Sequence, residues 1–100
     1  MIRGTTPTHT FTIPFDESVI NSIKIIYAQN KETVFEKLKD DCTFEGNTVS
    51  LTLTQEETFK FDHKCPVEIQ IRILTTKGNA IASEIRRVTV GELLDDEVLK

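Results

Sequence analysis

Apolar residues in this chain recur at every second position, and no apolar run is long. Val67, Ile69, Ile71 and Ile73 alternate with Glu68, Gln70 and Arg72. Val49, Leu51 and Leu53 alternate with Thr48, Ser50, Thr52 and Thr54. A period of two buries one face of a strand and cannot build the apolar stripe of a helix, whose period is 3.6. The same pattern predicts a strand over residues 8–13, with Phe11 and Ile13 on the buried face, and one over 22–29 with Ile23, Ile25 and Tyr27 buried. Residues 32–38 are mixed, with Phe35 opposite Val34 and Leu38, which suits an edge strand. Residues 80–90 change parity, and a β-bulge near Arg86-Arg87 would repair the change.

Turn signals separate these runs. Pro14 ends the first, because proline cannot donate to a ladder. Asn30-Lys31, Glu45-Gly46-Asn47 and Thr76-Lys77-Gly78-Asn79 read as hairpin connections. Thr54-Gln55-Glu56-Glu57 fits a capping box, but no amphipathic run follows it, so one helical turn is expected there. Strands at this spacing predict an all-β fold, a single-domain antiparallel β-sandwich, Ig-like, of about seven strands. The domain covers residues 1–100, with an N-terminal arm over 1–7 and an acidic tail over 92–100. A small closed barrel is the alternative.

Thr supplies 14 of the 100 residues, and its β-branched side chain suits the strand reading. The net charge of −4 argues against a nucleic-acid partner bound through its phosphates. No apolar run reaches a membrane span, and residues 1–7 lack the apolar stretch of a signal peptide, so neither a membrane partner nor secretion is expected.

Motifs that carry chemistry are sparse. Cys42 and Cys65 read as reduced thiols packed as small hydrophobes, and they can pair only if two strand ends meet. With His9 and His63 they form the only conceivable metal set, but the spacing is not that of a zinc site, so no metal is expected. His9 is placed on the polar face of its strand or in the arm, and His63 in an exposed loop. The carboxylates Asp16, Glu17, Asp40, Asp41 and Asp62 fall at turns, where they bond to local backbone. The four glycines are isolated, and no G-x-S-x-G elbow occurs. No catalytic residue and no cofactor is assigned, and the chain is read as a non-enzyme.

Surfaces are the more informative candidates. Thr48, Ser50 and Thr52 cover an outer sheet face with little charge, which is either a plain solvated face or a surface open to another strand or sheet. Arg72, Arg86 and Arg87 lie on neighbouring strands and would form a basic patch, or else pair with Glu68 and Glu84.

The segments 8–16 (THTFTIPFD), 25–30 (IIYAQN), 53–58 (LTQEET) and 67–76 (VEIQIRILTT), with Val90-Gly91, resemble small prophage-encoded proteins of Gram-positive gut bacteria. The resemblance implies a phage structural protein of the head, connector or tail. Its partners would be other phage structural proteins or further copies of itself, in the virion or the cytoplasm of the infected host. It implies no catalytic residue. The alternative is a small acidic phage protein that binds and modulates a host protein, which the run Asp95-Asp96-Glu97 would suit. A carbohydrate-binding module ranks last, since the chain has no Trp and one Tyr.

Overall fold

A computed structural model describes residues Met1–Lys100. Eight strands follow in chain order: β1 (Thr8–Thr12), β2 (Ile20–Gln29), β3 (Glu32–Leu38), β4 (Thr43–Glu45), β5 (Thr48–Thr52), β6 (Val67–Thr75), β7 (Ala80–Ala82) and β8 (Arg86–Val88). One four-residue helix, α1 (Gln55–Thr58), joins β5 to the loop before β6. Its capping box forms as the sequence indicates. The Glu57 N–H donates to the Thr54 hydroxyl at 3.2 Å, and the Thr54 N–H donates to the Glu57 carboxylate at 2.9 Å.

The strands form two antiparallel sheets. One has the order β1-β5-β4; the other has the order β3-β2-β6, with β7 and β8 both on the far edge of β6. In immunoglobulin lettering these are B-E-D and C′-C-F-G, met in the same chain order. The fold is thus an Ig-like sandwich in which the place of the first strand, beside β1, is empty of any strand. The N-terminal arm runs elsewhere. Ile2 pairs in parallel with Gly91, and Arg3 donates to the carbonyls of Phe61 and Phe59 at 2.6 and 3.0 Å. Gly4, with φ of 74°, lies so close to Phe59 that a Cβ would approach its ring to 2.6 Å.

The alternating positions build the core. Phe11, Val49 and Leu51 from one sheet meet Ile23, Ile25, Tyr27, Val67, Ile69, Ile71 and Ile73 from the other. The disulfide and tryptophan that pin antibody domains are both missing; Cys42 and Cys65 are free thiols. Their place is taken by aliphatic packing and by an aromatic group at one end. Tyr27 lies 4.9 Å from Phe35 and 6.1 Å from Phe61 between ring centroids.

The parity change in the last run is a bulge, but it sits at residues 83–85 rather than near Arg86-Arg87. Ile81 lies opposite Ile73, yet Arg86 lies opposite Ile69, one residue more than a continuous ladder would hold. Ser83 is the reason. Its Oγ accepts from the Ile71 N–H at 3.0 Å, in place of a backbone carbonyl. Arg86 and Arg87 therefore pair in regular register, Arg87 opposite Glu68.

Gln29 closes the end that holds the aromatic group. It is buried, its amide nitrogen donates to the carbonyls of Asp62 and Cys65 at 2.7 and 3.0 Å, and its oxygen accepts from the Asp62 N–H at 2.8 Å. One side chain thus satisfies three backbone groups of a loop that belongs to no ladder. Replacing it with leucine leaves those groups without partners, at roughly 1–3 kcal/mol for each that stays dry. Gln29→Leu is expected to lose about 2–3 kcal/mol of stability in urea unfolding, several times the cost of a substitution on the outer threonine face.

Candidate interaction site at the open edge

The free side of β1 is defined by its hydrogen-bond phase. Leu53 N–H donates to the Pro7 carbonyl at 3.0 Å, and Ile13 N–H donates to the Asn47 carbonyl at 2.8 Å. In an antiparallel pair, bonded and unbonded positions alternate. Odd-numbered residues of β1 therefore bond to β5, and Thr8, Thr10 and Thr12 turn their N–H and C=O groups toward the side that no strand covers.

Below that edge the two sheets part. A cleft of about 540 Å³ opens between β1 and the β7–β8 edge, with Phe11, Ile69, Ile71, Ile73, Ile81 and Ile85 among its walls. The bulge helps make it. By diverting the chain at Ser83 it leaves Ile81 and Ile85 at 40% and 47% exposure, bordering the opening rather than sealing it. Arg86, on the inward parity of β8, crosses to β1 and lies over the Phe11 ring at 4.7 Å from its centroid. A cation over an aromatic face is attracted by the ring quadrupole, so this contact holds the two edges together at one end of the cleft.

Beside it, His9 Nδ1 and the Tyr27 hydroxyl are hydrogen-bonded at 2.8 Å, again from one sheet to the other. His9 thus lies on the inward face of β1, half-buried, and not on the polar face or in the arm. Its position two residues before Phe11 was the available signal. Burial lowers the pKa of His9 from its ordinary 6.5, and the Arg86 charge and the terminal amine add to that. Burial likewise raises the Tyr27 pKa far beyond its ordinary 10.

The surface residues singled out in the sequence do not converge on one place. Thr48, Ser50 and Thr52 lie on the outer face of the three-stranded sheet, opposite Thr12, Thr10 and Thr8. There the hydroxyls bond to one another, Thr8 to Thr52 at 2.8 Å and Thr10 to Ser50 at 3.0 Å. The three arginines form no patch. Arg87 is paired with Glu68 at 3.0 Å, Arg86 points the opposite way over Phe11, and Arg72 lies on the outer face of β6 opposite Lys24 and Ala82. Cys42 is half-buried, and burial with the Asp41 charge raises its pKa to about 11, so its thiol is a poor nucleophile near neutral pH. His63 is 3.0 Å from Glu92 at the surface.

No protein-family model matches the chain, and no curated protein matches it. Among solved structures, the V domain of amphioxus IgVJ-C2 is similar with a TM-score of 0.36 and 13% identity, over 89% of this chain and 95% of that one. So distant a likeness transfers no residue and no role.

The His9 environment makes stability depend on pH. Between 6.5 and the lowered native value, the unfolded chain binds a proton on His9 that the folded chain does not. Stability is therefore greatest above that window and falls as pH drops through it. Glu57 and Asp16 have lowered values and weaken the fold only in the more acidic range, below their ordinary 4.5 and 3.8. Urea midpoints of the wild type are expected to fall between pH 7.5 and 5.5, with a smaller fall in His9→Gln; equal slopes would remove His9 as the cause.

Proposed function

We propose that this chain is a non-enzymatic interaction module of a phage particle, which accepts an extended segment of a neighbouring structural protein along β1. The observation that carries this reading is an uncovered strand edge directly above an apolar cleft. A strand laid against β1 finds the free backbone groups of Thr8, Thr10 and Thr12 for its ladder. Its alternate side chains then point down between Phe11, Ile71, Ile81 and Ile85. Backbone pairing supplies affinity in such strand addition, and the pockets for alternate side chains supply specificity. Pro7 and Pro14 bracket β1 and limit the ladder to about its five residues.

The resemblance to prophage-encoded proteins supports the setting, in the head, connector or tail. A small module that completes its sheet with a neighbour's strand suits a repetitive assembly, where one contact recurs at every copy.

Thr10→Pro tests the mechanism. Proline removes an N–H that points to the open side and leaves the β5 ladder intact, and edge strands tolerate it. The variant is expected to fold and to be depleted at least tenfold from purified phage particles when peptides are counted by mass spectrometry. Particles without the wild-type chain would remove the phage role, whereas equal incorporation of wild type and variant would remove strand addition at β1.

A further inference from the structure

The outer face of the five-stranded sheet carries a second feature, remote from β1. Lys24 and Arg72 lie directly opposite one another on β2 and β6. Like charges in that position repel. Lys24 has Glu36 at 3.2 Å, but Arg72 has no acidic partner. The two cations sit in a shallow groove of about 320 Å³, between Leu38 on one side and Leu74 with Ala80 on the other. Leu38 and Leu74 are exposed apolar side chains. Across the strands the groove runs from Leu38 on β3 through Lys24 on β2 and Arg72 on β6 to Ala80 on β7, with Leu74 beside Arg72 on β6.

The C-terminal tail carries the complement. Leu94 and Leu99 are among the most exposed apolar side chains of the chain, and Asp95, Asp96 and Glu97 stand between them. Asp95 and Glu97 are in no ion pair, and Asp96 is only 3.6 Å from Arg3 at the surface. Gln55 anchors the tail, accepting from the Leu99 N–H at 2.8 Å and donating to its carbonyl at 3.1 Å. That anchor is on α1, at the end of the sandwich where Gln29 holds the loop before β6. The groove is near the opposite end, five to seven residues along β6 from Val67, or about 17–23 Å at ~3.3 Å per residue. In the same molecule Leu99 is held by Gln55, and no tail residue lines the groove.

We propose that the Lys24–Arg72 groove binds the segment Leu94–Leu99 of a second copy, so that copies join head to tail. The acidic run neutralises the facing cations, and Leu94 and Leu99 cover Leu38 and Leu74. A contact between two different surfaces does not close on itself after one step, so it builds rings or chains rather than a twofold dimer. Because the charges are at the surface, salt weakens the contact.

Sedimentation of the full chain across protein and salt concentration tests this. Expected are masses that rise with concentration at low salt and fall back at 0.5 M NaCl. Two variants, Lys24→Glu with Arg72→Glu and Asp95→Lys with Asp96→Lys, alter exposed or half-exposed positions, and circular dichroism checks their folding. Each alone is expected to associate at least tenfold more weakly than wild type. Mixed together, the basic tail of one meets the acidic groove of the other while the unaltered acidic tail meets the unaltered basic groove, so concentration-dependent association is expected to return with the two variants alternating. A wild type that stays monomeric at low salt, association unaffected by either change, or a mixture that forms no complex would each overturn the proposal.

Discussion

Strand β6 is bonded along both edges, and the rest of the molecule is arranged around it. On one side it holds β2 in an antiparallel ladder from Ile20–Thr75 to Ala28–Glu68. On the other it holds β7 and β8 in turn. Its inward row, Val67, Ile69, Ile71 and Ile73, is buried throughout and forms the floor on which Phe11, Val49 and Leu51 rest. A slip of one residue would turn that whole row to solvent, so the register is strongly fixed. The place where β6 does not receive a regular partner matters as much. At Ile71 the ladder takes a serine hydroxyl instead of a carbonyl, and the returning strand resumes its pairing with the register shifted by one residue.

The two ends of the sandwich are closed unequally in consequence. At one end Tyr27, Phe35 and Phe61 pack together, Gln29 holds the incoming loop, and Lys37 of β3 pairs with Glu57 of α1. That ion pair ties an edge strand of one sheet to the helix that follows the other, and Lys37 helps keep the Glu57 pKa low against the opposing effect of burial. On the open side Arg86 over Phe11, in the row of Tyr27 and Ile69, joins the sheets, and from there the cleft runs past Ile71 and Ile73 toward the other end. The proposed binding function occupies the end that the core leaves incomplete.

Much of this was legible in the chain. The period of two gave the strands and nearly every core position, and Thr54 with Glu57 gave the helical turn. The parity break in residues 80–90 announced a bulge. Its location was not legible, because it depends on Ser83 Oγ reaching Ile71, a contact between residues on two different strands. His9 was misplaced for a related reason. Its polarity suggested the outer face, but the inner side of β1 offers it the Tyr27 hydroxyl, and a satisfied imidazole can be buried. The cleft and the open edge follow from strand order, which alternation alone does not determine. The supposed arginine patch failed on parity, since adjacent residues of one strand face opposite ways.

The sandwich has four edges, and they are not equally guarded. Strand β4 has only three residues, β3 carries Glu32, Glu36 and Lys37, and the β7–β8 edge is broken by the bulge, with the arm pairing just beyond it at Gly91. Short length, charge and bulges are the usual protections against edge-to-edge aggregation. Strand β1 has none of them. It presents threonines without a charge, and only Pro7 and Pro14 at its ends restrict it. Misassembly of this chain, when it is made in excess of the proposed strand donor, therefore has one main route: β1 of one molecule zipping onto β1 of another.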